Sequence, residues 1–275
     1  MMTDPYEFDG LNFRGEGYFV FQDYSVDPTR GAESYKSPWE LWVATLARAQ
    51  QGNFSWVPYL YDVYNDSDDY VLDGLCLNLL GDAAPASTVT HIRESTLMKL
   101  DAEEECDPQF LMDMSRVLFA QRRLADVPLL LRIYERVAVY KDRVPVDTYI
   151  EDILGGTFFE GGFHNLESNC ESVKRRYLEL TREYGSDEIS LWQGTPFTIH
   201  RFAQWMVANI DNVAMQYIGR RIFEANTGID CRPFFRNEEF QPLAAAAILE
   251  GFLASPAAEK FKLDARYFFS HPLPD

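Results

Sequence analysis

Apolar and polar residues recur with a helical period along most of the chain, and the clearest example is the stretch 55–85. Its first half places apolar side chains at i, i+3, i+4 and i+7, on one helix face, at Val57, Leu60, Tyr61 and Tyr64. After an acidic turn, a second apolar face is formed by Leu72, Leu75, Cys76, Leu79 and Leu80. We expect Gly81 to take the left-handed C-cap position and Pro85 to prevent continuation. One hairpin cannot bury both faces, so this pattern predicts packing on further helices.

Other segments repeat the pattern. The capping box from Ser37 to Glu40 predicts a helix start. The threonine and serine residues in 86–100 weaken the helical pattern there, so the secondary structure of this segment stays ambiguous. Further helical segments are predicted at 108–140 (a second hairpin), 144–154, 168–184, from Thr195–Pro196 to Gly228, and 242–253. Because the two hairpins have similar lengths, they look like degenerate repeats of roughly 40 residues. The sequence therefore predicts a mainly α fold of stacked antiparallel helix hairpins.

The first 36 residues differ from the rest. The stretch Tyr18–Tyr24 is rich in strand formers and predicts a short strand or hairpin, so 1–36 is interpreted as an N-terminal extended or β arm. Helical hairpins are expected over 37–155. A glycine-rich segment follows, and a C-terminal helical layer is expected over 156–275, continuous with the preceding part as one domain.

The charge balance narrows the possible partners. The 275 residues carry a formal net charge of −18. This charge disfavours direct binding to nucleic acid or to an anionic membrane, and it favours fast association with a basic protein. The alternative is that acidic side chains only keep the protein soluble. The N-terminus has no signal-peptide pattern and no apolar run approaches a membrane span, so we expect a cytoplasmic protein without membrane association.

Residues that could carry chemistry are scattered. None of the histidines stands at metal-ligand spacing with another, and they are His91, His164, His200 and His271. There is no phosphate loop, dinucleotide fingerprint or nucleophile elbow. Cys231 with His200 or His271 could form a dyad, although a buried cysteine after a helix C-cap is the favoured interpretation. Arg220-Arg221 is interpreted as a solvated helix face or an internal ion pair, with an anion site as the less favoured alternative. We therefore expect no catalytic residue, no metal and no cofactor.

Acidic side chains concentrate at the turn of the first predicted hairpin and in the turn before the second, and we predict that they contact a partner. The candidate residues are Asp66, Asp68, Asp69, Asp73, Asp101, Glu103, Glu104, Glu105 and Asp107. If the hairpins stack, equivalent turns lie along one edge, and the two acidic groups form one rim. The alternative is a set of solvated turns whose carboxylates complement helix dipoles. That alternative explains the first group well and the three consecutive glutamates less well.

Several short sequence segments resemble segments of known protein families. The segment 69–85, DYVLDGLCLNLLGDAAP, resembles the degenerate HEAT-like repeats of bacterial proteins. The segments YGSDEISLWQGTPF, TGIDCRPFF and QPLAAAA resemble a C-terminal block of immunity proteins from polymorphic and contact-dependent toxin systems. The resemblance covers roughly 37–270. It implies an inhibitor without catalytic residues that occludes a cognate toxin with a basic active-site cleft.

Two other functions stay open. A HEAT-like scaffold or adaptor that binds a peptide or protein partner would have the same helical pattern. An enzyme of unrecognised type could use the segment around Cys231.

Overall fold

The computed structural model describes residues 17–21, 30–35, 37–102, 106–137, 146–159, 165–237, 239–263 and 265–274. Within these residues the fold is mainly α, as predicted. The helices are α1 (Pro38–Ala49), α2 (Tyr59–Asp66), α3 (Tyr70–Ala83), α4 (Ala86–Asp101), α5 (Pro108–Gln121), α6 (Val127–Val137), α7 (Val146–Leu154), α8 (Leu166–Tyr184), α9 (Ile199–Ala208), α10 (Val213–Thr227) and α11 (Pro242–Leu253). The strands form two-stranded antiparallel hairpins, and they are β1 (Leu191–Trp192) with β2 (Thr195–Pro196), β3 (Phe235–Arg236) with β4 (Glu239–Phe240), and β5 (Tyr267–Phe268) with β6 (His271–Pro272).

The chain divides into two compact units. A split unit contains Met1–Pro85 and Thr198–Pro274, and a central unit contains Ala86–Phe197. The glycine-rich segment at which we expected a boundary lies inside the central unit. Gly155 has a φ of 67°, and a side chain there would overlap the backbone of Gln193. The glycine therefore allows the end of α7 to fold closely against the β1–β2 turn, within one unit.

In the split unit, α2 packs along α3, α1 packs on α3, and α9 packs against α10 and α11. The predicted apolar face of α3 is buried, as are Val57, Leu60 and Tyr61 from the first half of the hairpin. Helix α2 begins at Tyr59 because residues 55–58 form a turn. The largest side chains in this core include Trp42, Phe202, Phe223, Phe234 and Phe268. The hairpin predicted at 55–85 is thus confirmed.

In the central unit, helices α4 to α7 pack on their neighbours, and α8 packs on α6 and α7. The second predicted hairpin corresponds to α5 and α6, and the ambiguous segment 86–100 is the helix α4. The buried residues of this hairpin include Leu111, Met114, Val117, Leu118, Leu129, Ile133 and Val137. Asp126, which precedes α6, is fully buried and accepts a hydrogen bond of 2.8 Å from Arg93 Nε. An ion pair between half-buried Arg93 and fully buried Asp126 is therefore part of this unit.

Two local predictions are wrong. Gly81 does not end α3, because the helix continues to Ala83 and Ala84 is extended, as the steric demand of Pro85 requires of the residue before it. Thr195–Pro196 does not start a helix but forms the second strand of a hairpin. Thr198 is instead the N-cap of α9, where its hydroxyl accepts a hydrogen bond from the Arg201 N–H.

The expected N-terminal strand is, where the structure describes it, a 3-10 turn at Tyr18–Phe21. The N–H of Phe19 donates to the Glu224 carboxylate instead of a neighbouring strand. The rest of the predicted strand, over 22–24, lies outside the described residues, as do 1–16, 25–29 and 36 of the predicted arm. The aromatic tail of the chain forms the β5–β6 hairpin.

Candidate functional site

The nine predicted acidic residues have different structural roles. Glu103, Glu104 and Glu105 lie outside the described residues. Asp69 is the N-cap of α3 and accepts hydrogen bonds from the N–H groups of Val71 and Leu72. Asp107 is the N-cap of α5 and accepts from the Gln109 N–H at 2.9 Å.

Two further predicted residues also have partners inside their own unit. The carboxylate of Asp101 is 2.5 Å from Arg132 Nη2, so its charge is largely balanced. Asp73 is half-buried in the first turn of α3, where a carboxylate complements the helix dipole. Four of the described candidates are therefore explained by helix capping, an ion pair or the helix dipole.

Asp66 and Asp68 are different, because both are exposed and neither caps a helix. Asp66 is the last residue of α2, where a negative charge opposes the helix dipole. It also stands four residues after exposed Asp62, a spacing at which like charges repel on a helix surface. Both effects destabilise α2, so the stability of the helix does not explain why an aspartate stands at position 66.

Two tyrosines flank these carboxylates. Tyr59 lies on the same face of α2 as Asp62 and Asp66, at spacings of three and seven residues, and it is 49% exposed. Tyr70 begins α3 two residues after Asp68 and is 86% exposed. We define the acidic face as Tyr59, Asp62, Asp66, Asp68 and Tyr70. Exposed tyrosines beside carboxylates give a surface that can contact both apolar and basic groups of a partner.

The turn that carries this face is held by side chains from within the split unit. The Ser67 hydroxyl accepts a hydrogen bond of 2.9 Å from the Asp69 N–H. Asp69 in turn accepts a hydrogen bond of 2.9 Å from the indole Nε1 of Trp39 on α1. Because Asp69 also caps α3, the positions of Asp68 and Tyr70 are fixed before any partner binds, which lowers the entropy cost of binding.

An open groove of about 640 Å³ begins next to the acidic face. Pro58, which precedes Tyr59, forms part of its wall. The wall is mainly apolar and is lined by Gly52, Asn53, Phe54, Ser55, Pro58, Pro85, Pro272, Leu273 and Pro274. The groove is large enough for one or two apolar side chains of a partner.

The sequence interpretation missed Tyr59, Asp62 and Tyr70. A signal was present, since Tyr59, Asp62 and Asp66 recur at i, i+3 and i+7 on the face opposite the buried residues of α2. In the structure Tyr59, Asp62 and Asp66 lie along α2, and Asp68 and Tyr70 stand at the turn that follows it. Asp101 and Asp107 belong to the central unit, so the expected rim that joins both acidic groups stays a prediction.

The thiol of Cys231 is poorly suited to nucleophilic chemistry. It is fully buried, and its Sγ donates to the carbonyl of Ile229 at 3.3 Å. Burial, followed by the nearby charge of Glu224, raises the pKa of this thiol well above its usual range. Because the thiolate is the reactive form, this environment favours the interpretation of Cys231 as a core residue.

The described residues contain no group of three or more His, Cys, Asp or Glu side chains arranged to hold a metal ion. In the same part of the chain, no helix has both the length and the apolar character needed to cross a membrane. No protein-family model matches the chain, and no curated protein and no solved structure matches it either.

Proposed function

We propose that this chain is a binding protein that docks its acidic face on a basic surface of a partner protein. The observation that carries the proposal is the exposure of Tyr70, 86%, beside the exposed carboxylates of Asp66 and Asp68, of which Asp66 opposes the dipole of its own helix. A tyrosine buries a large area at small entropic cost, and tyrosines are enriched among residues that dominate binding energy. The carboxylates steer a basic partner toward this surface.

The groove beside Pro58 supplies the second half of the interface. An apolar side chain of the partner would lose its contact with water when it enters the groove. Basic residues of the same partner would then contact Asp62, Asp66 and Asp68. Both parts lie in the split unit, and Pro58 of the groove wall directly precedes Tyr59 of the acidic face. One partner segment with an apolar residue flanked by lysine or arginine therefore fits both parts.

The partner that we propose is a cognate toxin with a basic active-site cleft, and this chain is its cytoplasmic immunity protein. This step depends on the net charge of −18 and on the resemblance of several sequence segments to immunity proteins of toxin systems. Toxins that act on nucleic acid need a basic cleft to bind their substrate. A protein that covers the cleft with an acidic surface would inhibit such a toxin without turning over a substrate.

The test begins with affinity capture of the partner from the native organism, followed by its expression in a host with and without this chain. The expected result is growth arrest by the partner alone and restored growth when both are present. A captured partner that is harmless by itself would contradict the toxin assignment. Affinity of the purified pair is then measured by titration calorimetry at two salt concentrations.

Variants of the acidic face test the proposed surface. Tyr70→Ala should weaken binding by roughly 5- to 30-fold, the loss typical of a central interface tyrosine. Asp66→Asn with Asp68→Asn should weaken binding several-fold and reduce its salt dependence. The control is Glu167→Gln with Glu183→Gln on α8, which removes the same charge from exposed positions. Equal effects of the two pairs would show that only net charge matters and would refute the acidic face.

The groove also favours a second candidate function, a scaffold or adaptor that binds an extended peptide. Under that function Leu273→Asp, which places a charge in the groove wall, abolishes binding while the carboxylate variants change it little. Under the first proposal both sets of variants weaken binding. A partner without toxicity whose binding depends on the groove alone would favour the adaptor.

A further inference from the structure

Three separate segments of the chain form the wall of the groove. They are residues from 52–58 between α1 and α2, Pro85 directly after α3, and residues 272–274, which begin at the end of β6. Because these segments are far apart in sequence, the shape of the groove depends on the contacts that join them. The β5–β6 hairpin and Arg266, the residue that precedes it, make such contacts with each segment.

The side chain of Arg266 binds the end of α3. Its Nη1 group donates a hydrogen bond of 3.0 Å to the Ala84 carbonyl, and its Nη2 group donates one of 3.3 Å to the Gly81 carbonyl. In a continued helix the N–H of residue 85 would donate to the Gly81 carbonyl, but Pro85 has no N–H. The guanidinium supplies a donor there, and its charge complements the negative end of the helix dipole. Arg266 therefore fixes the chain immediately before Pro85.

The backbone of Arg266 holds a second segment of the wall. Its carbonyl accepts a hydrogen bond of 2.9 Å from the Leu273 N–H, which extends the pairing of β5 with β6 by one residue. Leu273 stands between Pro272 and Pro274, and a proline has no N–H to donate. The Leu273 N–H is therefore the backbone donor that this stretch offers to the hairpin. One residue thus joins two of the three segments.

The third segment packs directly on the hairpin. The ring of Phe54 meets the ring of Phe268 edge-on, with centroids 6.4 Å apart. Gly52 has a φ of 82°, and a Cβ atom there would lie 2.8 Å from Nδ1 of His271. Glycine thus permits both the backbone conformation and the close approach to the hairpin. All three segments of the wall are therefore placed by the hairpin or by Arg266.

The hairpin depends on its surroundings for its own position. Each strand has two residues, and an isolated two-stranded hairpin is marginally stable in water. Its turn residues Phe269 and Ser270 have φ values of 48° and 66°, a conformation that usually requires glycine or asparagine. Their N–H groups donate to the carbonyls of Ala225 and Asn226 on α10, at 2.6 and 2.9 Å. Helix α10 thus holds the turn of the hairpin, and Arg266 holds its open end.

We propose that Arg266 is a positioning residue for the groove, because it holds Pro85 and Leu273 in place before a partner binds. This inference rests on the proposed function, in which an apolar side chain of the partner enters the groove. A preformed wall removes the entropy cost of ordering it on binding. If the wall is formed in only a fraction of the molecules, the apparent affinity falls by that fraction. Arg266 therefore sets the affinity of the groove through Pro85 and Leu273.

Hydrogen exchange of the full-length chain, followed by NMR, tests whether Arg266 holds the wall. Arg266→Met removes the guanidinium and keeps an unbranched apolar side chain. The Leu273 N–H should exchange at least tenfold faster in this variant, while protection in α9 of the same unit stays unchanged. An unchanged exchange rate at Leu273 would overturn the proposal. If protection in α9 is also lost, Arg266→Lys replaces this variant, and an unchanged Leu273 rate in it overturns the proposal instead.

The affinity of the captured partner, measured by titration calorimetry, tests whether this positioning matters for binding. Arg266→Met should weaken binding at least fivefold, and Arg266→Lys, which keeps the charge and can donate to the carbonyls, should recover part of the loss. Charge alone predicts the opposite sign, because removal of a cation makes an acidic protein more attractive to a basic partner. Arg236→Met is the matched control, since Arg236 is an exposed cation at the end of β3 in the same unit. Equal losses in Arg236→Met and Arg266→Met would overturn the proposal.

The groove variant Leu273→Asp separates this inference from the function on which it rests. If Leu273→Asp abolishes binding and Arg266→Met leaves it unchanged, the groove is used and the positioning role of Arg266 is wrong. If Leu273→Asp leaves the affinity unchanged, the groove contact in the proposed function is wrong. Faster exchange of the Leu273 N–H in Arg266→Met would in that case still support the role of Arg266 in holding the wall.

Discussion

Replacement of Asp82 by alanine should destabilise the split unit strongly. The side chains of Asp82 and Arg221 are 4% and 8% exposed, and they form an ion pair between α3 and α10. Tyr18 donates a hydrogen bond to the same carboxylate oxygen. Asp82→Ala leaves the Arg221 guanidinium buried without this anion, a change that typically costs ~3–5 kcal/mol. The loss of the Tyr18 hydrogen bond adds ~1 kcal/mol.

The effect of the charge can be separated from the effect of packing. Asp82→Leu with Arg221→Met removes both charges and keeps apolar volume, so it should recover most of the lost free energy of unfolding. Tyr18→Phe keeps the ion pair and should cost only ~1 kcal/mol. Urea unfolding followed by tryptophan fluorescence measures these differences, because most of the tryptophans lie in this unit, namely Trp39, Trp42, Trp56 and Trp205.

Two results would refute this reasoning. If Asp82→Ala costs less than about 1 kcal/mol, then water reaches the guanidinium and the pair is not buried in solution. If the double variant is no more stable than Asp82→Ala, then the loss comes from packing at position 82 and the charge of Arg221 is not its cause.

The remaining predictions concern backbone conformation and the central unit. Gly251 is exposed inside α11 with no atom near its missing side chain, so Gly251→Ala should raise the free energy of unfolding by ~0.5–1 kcal/mol in urea titrations. Gly185 has the same open surroundings but a φ of 72°, so Gly185→Ala should lower the free energy of unfolding by ~1 kcal/mol. If both glycine variants changed the free energy of unfolding in the same direction, the argument from backbone conformation would be refuted. Arg93→Leu removes the cation 2.6 Å from fully buried Asp126 and should cost ~3 kcal/mol, measured as earlier thermal unfolding.

The helices were predictable because their formation depends on local information. Apolar residues at a period of 3.6 decide which face is buried, and this pattern gave α2, α3, α5 and α6 directly. The predicted ends of two further helical segments, at 184 and at Gly228, also agree with the ends of α8 and α10, where Gly185 and Gly228 have positive φ. These features need no knowledge of distant parts of the chain.

The short hairpins could not be found in the same way. Each strand has two residues, too few for an alternating pattern to appear. In β1–β2 the turn contains Gln193 and Gly194 with φ values of 51° and 70°, and the following Thr195–Pro196 imitates a helix start. The hairpin forms because Gln193 donates its N–H to the Asp152 carbonyl at the end of α7. Only the tertiary fold supplies that acceptor.

Buried charged residues are the second feature in which the structure differs from the prediction made from the sequence. Charged residues are normally assigned to the surface, yet Asp82, Asp126, Arg221 and Glu224 are all buried. For the Arg220-Arg221 pair, the structure selects the internal ion pair at Arg221 from the alternatives that the sequence left open. A sequence gives no distance between α3 and α10, so it cannot show which carboxylate meets which guanidinium.

The internal roles of carboxylates change what the net charge means for binding. The charge of −18 counts every carboxylate equally, but Asp69 and Asp107 cap helices and Asp101 is paired with Arg132. On the acidic face only three carboxylates are exposed, so ~0.15 M salt should screen a large part of their steering at distances beyond ~8 Å. The affinity of the proposed complex must therefore come mainly from buried tyrosine and groove contacts, with charge acting on the association rate. Salt should accordingly slow association more than it speeds dissociation.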